Sequence, residues 1–216
     1  MTERLTVAIE GSGKKVFAAA LEWPGWSRSA KTAEVALETL LAYADRYVPV
    51  ARLAQLSLGP SFEVEVVEQL EAGSGTEFGV LSRPAVSDSR PTDANEAARL
   101  ASIVEASWAT FDRVAAGAPA ELRKGPRGGG RDRDKMIGHV HEADWYYARE
   151  MGIKVKQPAP DDRAATGTLR DSMLAVLREP SDGSPLAGRR WPVRFAARRI
   201  AWHALDHAWE MEDRSG

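Results

Sequence analysis

The sequence predicts an α+β protein in which an N-terminal ββαβ unit is followed by an up-down four-helix bundle. Apolar residues alternate with polar ones, as in strands, only in the first third of the chain. Four long segments with the helical period of about 3.6 residues occupy the remainder. A stretch rich in Ser, Asp, Arg and Pro separates the two regions at 84–91. We therefore expect one domain at 1–83 and a second at 92–216.

The N-terminal unit opens with two short strands at 5–10 and 15–22. Gly11, Ser12 and Gly13 join them, which suits a tight hairpin because glycine adopts positive φ without strain. We expect both strands to be antiparallel neighbours.

A helix and a third strand complete this unit. Thr32 is a suitable helix cap, and the apolar period that follows continues to Pro49, where we expect a bend or an end. Phe62, Val64 and Val66 then alternate with glutamates, which predicts a half-buried strand.

The bundle helices are predicted at 93–116, 132–151, 161–177 and 192–212. Connections of roughly ten residues, rich in Gly, Pro and charge, allow antiparallel neighbours. We detect no internal repeat.

Composition excludes several classes of site. The 216-residue chain has no cysteine, so disulfides, zinc–thiolate sites, Fe–S clusters and thiol nucleophiles are absent. A formal net charge of −2 gives no overall attraction to nucleic acid. The longest apolar run, at 16–21, is too short for a secretory core or a membrane span. We expect a cytoplasmic protein with a small-molecule substrate, no membrane partner and no nucleic-acid partner.

The four histidines all fall in the second and fourth bundle helices. His203 and His207 are four residues apart, on one helix face, where two imidazoles can reach a single metal ion. His139 and His141 are about 200° apart on a helix, so at most one can face a given interior. Three neutral imidazoles suit Zn, Ni, Fe or Cu and leave coordination positions open.

The choice between His139 and His141 is not decided by periodicity. The apolar period around Met136 and Val140 places His141 slightly nearer its centre than His139. Periodicity does predict a direction for His203 and His207. They share their helix face with small and aliphatic residues, which favours side chains that point inward.

The segments MIGHVHEAD at 136–144 and AWHALDH at 201–207 resemble the second- and fourth-helix motifs of DinB/YfiT-like four-helix-bundle proteins. The resemblance covers about 93–212. It implies a divalent metal, typically nickel or zinc, held by three histidines, which here are His139, His203 and His207. It also implies transfer or isomerisation with a low-molecular-weight thiol such as mycothiol or bacillithiol, and thus a metal-dependent thiol transferase or isomerase.

The first region has a resemblance of its own. The segments VAIE at 7–10, FAAA at 17–20, WPGW at 23–26 and KT at 31–32 resemble the strands, turn and capped helix of HicB-like antitoxins. That family neutralises a partner toxin and carries a separate DNA-binding segment, which we do not find here. We therefore expect a structural cover or a dimer contact in preference to an antitoxin.

Several polar residues could assist such a site. Asp144 and Asp206 could accept the free N–H of a ligand histidine, although such aspartates are more often solvated or form ion pairs at the helix surface. Glu210 could be a fourth ligand or a general base, or it could pair with Arg214 four residues later. Trp202 and Trp209 are predicted to be packing residues.

Two basic segments offer weaker hypotheses. The glycine-rich loop at 123–131 precedes a helix and could admit an anion, although a mobile solvated connection is the simpler interpretation. A second cluster could recognise a carboxylate in the bundle mouth, although ion pairs are again simpler; it comprises Arg189, Arg190, Arg194, Arg198 and Arg199.

The leading hypothesis is therefore a metal-dependent enzyme of the DinB-like type. Its alternative is a non-catalytic metal-binding or protein-interaction scaffold with an antitoxin-like N-terminal domain. Catalytic residues, the substrate and the identity of the metal stay open, as does a homodimer.

Overall fold

The computed structural model describes residues 2–11, 13–125 and 129–215. Within them the chain forms four strands and six α-helices. The strands are β1 (Glu3–Glu10), β2 (Val16–Ala20), β3 (Ser27–Ala30) and β4 (Phe62–Leu70). The helices are α1 (Ala33–Ala42), α2 (Ala44–Leu53), α3 (Ala94–Gly117), α4 (Arg133–Glu150), α5 (Arg163–Leu177) and α6 (Val193–Arg214).

The four strands form one sheet in the order β3-β2-β1-β4. β1 pairs antiparallel with β2 and parallel with β4. β2 is buried along its whole length because both of its faces are covered. Its residues Val16, Ala18 and Ala20 pack in the cluster with α1 and α2, whereas Phe17 and Ala19 pack against Trp202 of α6. The sheet thus lies between two helical layers.

The predicted ββαβ order is incomplete. The strand Ser27–Ala30 was missed because its Ser-Arg-Ser sequence has no apolar alternation, and it forms through pairing with β2. Gly11 and Gly13 do adopt positive φ, as the hairpin requires, while Ser12 lies outside the described residues.

The single predicted helix is two helices. Thr32 caps α1 as expected, its hydroxyl accepting from the Val35 N–H. The chain then turns at Tyr43, and α2 continues past Pro49 to Leu53. The early turn places Tyr47 in the core, where its ring stacks on Trp26 at 5.3 Å between ring centroids. Tertiary packing therefore overrides the local proline signal.

The four C-terminal helices begin and end within two residues of their predicted bounds. α3 packs along α6, α4 contacts α5 and α6, and α5 also contacts α3. A shared apolar cluster lies between them and includes Phe111, Met136, Val140, Met173 and Ile200. None of the helices in the described residues is long and apolar enough to cross a membrane.

The segment at 84–91, predicted to be a linker, is anchored to α6. It contains a short 3-10 turn, Val86–Ser89, in which the Asp88 carboxylate is buried. Asp88 accepts a hydrogen bond of 3.0 Å from Nε of Arg198, a second from Nη2 of that residue, and Arg198 is only 1% exposed. Because removing one partner of such a pair leaves a buried charge, this contact holds the segment in place.

Candidate metal centre

Three histidines from two helices meet in the interior of the helical region. His203 and His207 lie one turn apart on α6 and are 7% and 9% exposed, and His139 reaches them from α4. The nitrogens that could act as ligands all lie within 4.8 Å of one another. The ring centroids are 4.7 to 5.0 Å apart. The pair on α6 points inward because small residues before and after it allow α4 to approach closely.

Hydrogen bonds show which ring nitrogens are available. The Nδ1 of His207 lies 3.0 Å from Oε2 of Glu210, so its Nε2 is left for another partner. The Nε2 atoms of His139 and His203 are 3.2 Å apart. Two nitrogens bound to one tetrahedral metal at ordinary metal–nitrogen lengths lie roughly 3.3 Å apart. The separation therefore fits two ligands of a common ion.

The environment keeps these imidazoles neutral. Burial, followed by the charges of His207 and Arg131, lowers the pKa of His139 to about 4. Burial and the same neighbouring His207 lower the pKa of His203 well below its ordinary value. Since a metal ligand must offer a free lone pair, both rings are in the required form at neutral pH.

Glu210 forms the predicted pair with Arg214 and also contacts His207, a role that was not predicted for it, whereas a role as fourth ligand or general base stays a prediction. Its Oε2 contacts His207, and its Oε1 accepts a 2.7 Å hydrogen bond from Nη1 of Arg214. It orients a candidate ligand, and the ion pair with Arg214 orients Glu210 in turn. The hydrogen bond from the ring and the ion pair both lower the pKa of Glu210, so its carboxylate is ionised.

The two aspartates predicted to support the histidines do not contact them. Asp144 is buried and accepts hydrogen bonds from Nε of Arg170 at 2.9 Å and Nε1 of Trp108 at 3.1 Å. Asp206 pairs with Arg28 across the boundary with the sheet. Those predictions are wrong, and the helical spacing of three residues from His207 to Glu210 was the usable signal.

His141 lies on the opposite face of α4 and does not join the three-histidine cluster. Its Nδ1 is buried and finds no hydrogen-bond partner among the described residues. The apolar period of α4 places His141 nearer its centre than His139. It therefore describes a surface of α4 other than the one that carries the three-histidine cluster. Metal binding by the cluster itself stays a prediction.

A cavity of about 390 Å³ opens beside His139. Gly138 and His141 also line it, together with the basic residues Arg131 and Lys135. A Cβ at Gly138 would meet no atom within 4 Å, so this side of α4 is open. His139 thus borders an open cavity whose charged lining residues are Arg131, Lys135 and Glu142, whereas His203 and His207 do not line it.

Most arginines of the basic cluster near the start of α6 form the ion pairs that the simpler interpretation predicts. Arg190 pairs with Glu150, Arg194 with Glu96, and Arg198 with the segment at 84–91.

Arg199 differs from these arginines. It is 8% exposed, its Nη1 has no hydrogen-bond partner among the described residues, and its guanidinium packs over Tyr147 and Trp202. One helical turn before His203, it adds a buried positive charge near the cluster.

The remaining predicted features have structural roles. Trp202 and Trp209 are 3% and 2% exposed, as expected of packing residues. In the basic loop, Arg123 donates to the backbone oxygen of Asp213 and Lys124 pairs with Asp132, which ties the loop to the end of α6 and the start of α4. Residues 126–128 of that loop lie outside the described part of the chain.

Comparison of the chain with protein families, curated proteins and solved structures finds no match. The resemblances to DinB-like and HicB-like proteins therefore stay predictions from short motifs. The three converging histidines are the feature of the molecule from which a function can be inferred.

Proposed function

We propose that the protein binds one divalent metal ion, Zn²⁺ or Ni²⁺, through His139, His203 and His207. The observation that carries this proposal is the convergence of their ring nitrogens, from two separate helices, within 4.8 Å. Three imidazoles packed together would repel one another as cations, and as neutral rings they direct lone pairs into one small volume. A shared cation gives all three lone pairs a partner.

The surroundings support the same ligand set. His139 and His203 have pKa values that keep them neutral, and Glu210 leaves Nε2 of His207 available. The set contains nitrogen only, which suits Zn or Ni better than Mg or Ca. Three protein ligands also leave a coordination position for a small molecule, which is typical of catalytic metal sites.

We further propose an enzymatic use of this site, in DinB-like transfer or isomerisation with a low-molecular-weight thiol. When bound, the metal would supply Lewis acidity that makes a coordinated thiol or water more acidic. Since the chain has no cysteine, the thiol would be a separate co-substrate. It would lose its proton to solvent, and its sulfur would form a bond to an electrophilic carbon of the second substrate as the bond from that carbon to a leaving group breaks. The leaving group would depart with the bonding electron pair and take up a proton from solvent.

The cavity beside His139 supports an anionic thiol. It offers about 390 Å³, enough for a small molecule, and Arg131 and Lys135 line it. Positive charge at the rim attracts a co-substrate that carries carboxylates. We assign the residues of the rim to binding and orientation of that co-substrate.

The same proposal gives the two regions their roles. We propose that α3 to α6 form a DinB-like up-down bundle and that the sheet with α1 and α2 is a HicB-like cover. The ion pair between Arg28 and Asp206, at 2.9 Å, and the packing of Phe17 on Trp202 support a cover that lies on α6.

The test is elemental analysis of protein purified without an affinity tag, together with thermal melting. We expect about one equivalent of Zn or Ni, and a melting temperature that rises with either ion and falls with a chelator, because a ligand of the folded state stabilises it. Absence of both results would overturn the metal site. Stoichiometric metal without turnover of any low-molecular-weight thiol would overturn the enzymatic proposal alone.

A further inference from the structure

A second cavity, of about 470 Å³, lies between α3, α4 and α5. Phe111, Ala115 and Ile137 form its apolar wall, and His141, Arg163 and Arg170 contribute polar groups. Its volume falls in the range typical of small-molecule sites. It lies on the face of α4 opposite the three-histidine cluster, and none of the cluster residues lines it.

Two polar atoms at this cavity are buried without a partner. Arg170 is 8% exposed, and it uses Nε for Asp144 at 2.9 Å and Nη1 for Asp112 at 2.8 Å. Its Nη2 has no hydrogen-bond partner among the described residues, and the same holds for Nδ1 of His141. Buried polar groups in folded proteins are nearly always paired, so two unpaired ones at one cavity indicate a partner that is supplied from outside.

The charges at the cavity favour an anion. Arg133, Arg163 and Arg170 line it with only two carboxylates, Asp112 and Asp134. Arg133 pairs with Asp134, and Arg170 pairs with both Asp112 and Asp144. Arg163 takes part in no ion pair among the described residues, so its guanidinium is available to a ligand. A negatively charged group would pair with it.

A glycine at the rim leaves the cavity accessible. Gly167 lies inside α5, where glycine costs about 1 kcal/mol relative to alanine. A Cβ at this position would meet no atom within 4 Å, so close packing does not require glycine here. A larger side chain at 167 would extend over the opening.

We propose that this cavity is a second ligand site, separate from the metal centre, for a small monocarboxylic acid with an apolar body. The carboxylate would bind the guanidinium of Arg163, and a small movement of the Arg170 side chain would let Nη2, which is closed to solvent, bind it as well. The apolar body would pack on Phe111 and Ile137. Arginine suits this role because its planar donors match a carboxylate.

Benzoate is a suitable probe, with benzyl alcohol as its neutral match. The experiment uses chelator-treated, metal-free protein, which excludes binding of the carboxylate to a metal. We expect benzoate to shift the imidazole nitrogen resonances of His141 saturably, and to bind about tenfold more tightly than benzyl alcohol. No saturable shift at millimolar benzoate would overturn the proposal.

Two variants at exposed positions test the assignment without risk to the fold. Gly167→Leu should keep or raise the melting temperature, because leucine is the better helix former, and should weaken benzoate about tenfold or more. The matched control is Gly138→Leu, at the other cavity, which should leave benzoate affinity unchanged. Arg163→Gln should weaken benzoate and leave benzyl alcohol unaffected. Unchanged benzoate affinity in both Gly167→Leu and Arg163→Gln would place the ligand elsewhere and overturn the proposal.

Discussion

The two faces of α4 carry histidines only two residues apart, yet they face different sites. On one face His139 meets His203 and His207, and three imidazoles place their ring nitrogens within 4.8 Å of one another. On the other face His141 lines a cavity together with three arginines and two aspartates, and it also borders the cavity beside His139. Residues two apart on a helix are separated by about 200°, so one helix can serve both surfaces.

The two sites would take ligands of opposite charge. We propose a cation for the cluster of His139, His203 and His207, because three neutral imidazoles place their nitrogens in one small volume. We propose an anion for the cavity at His141, because Arg170 keeps one buried donor without a partner and Arg163 lines the cavity without an ion pair among the described residues. Variants on the two faces should therefore affect different ligands, and each prediction below tests that separation.

The largest expected effect is on metal affinity. His203→Ala should weaken the metal roughly a thousandfold, since three ligands would share on the order of 12 kcal/mol of binding free energy. His141→Ala should leave the affinity unchanged, because His141 is outside the cluster. Competition with a chromophoric chelator measures both. Metal lost in His141→Ala but kept in His139→Ala would reverse the assignment of the two faces.

The next effect is on the free energy of unfolding and concerns Asp144, the buried partner of Arg170. Asp144→Ala should lower the free energy of unfolding by about 3–5 kcal/mol, because it removes a carboxylate from the buried Arg170. Asp112→Ala is the control at the exposed end of the same guanidinium and should cost less than about 1 kcal/mol. Urea denaturation of the metal-loaded proteins gives both values. Equal costs would show that burial does not distinguish the two carboxylates.

A smaller effect on metal affinity is expected from Glu210, which orients the ring of His207. Glu210→Gln should reduce metal affinity about 10–100-fold, because the carboxylate that holds Nδ1 of His207 is lost. Asp206→Asn, at a neighbouring position on the same helix, should leave the affinity unchanged because Asp206 pairs with Arg28 instead. The chelator competition assay applies here too. A matching loss in Asp206→Asn would remove the specific role of Glu210.

The last effect is a pH dependence of the metal-free protein, which is spread over more than two pH units. The pKa of His139 is about 4 in the folded state and about 6.5 when the chain is unfolded, so the unfolded state binds more protons between these values. Stability should therefore fall as pH drops through this window. His139→Gln should show a weaker decline in denaturation midpoints over the same range. Identical slopes would mean that His139 is protonated equally in both states.

The helical region could be predicted closely from sequence. The bounds of α3 to α6 follow from apolar periods, caps such as Asp93 and Asp162, and glycine- or proline-rich ends, all of which are local signals. β3 could not be predicted this way, because Ser27–Ala30 becomes a strand only when β2 lies beside it. Nor could the break at Tyr43, which depends on the fit of Tyr47 against Trp26.

The sequence by itself determined the available chemistry: four histidines on two helices, no thiol, and an i, i+4 pair that must share a face. Only the tertiary structure decided that His139 and not His141 joins that pair, that Glu210 supports it, and that Asp88 anchors Arg198. Helical geometry fixes the angles between the side chains of one helix, but it does not fix which segment packs against each face. That choice depends on the packing of segments that are distant in sequence.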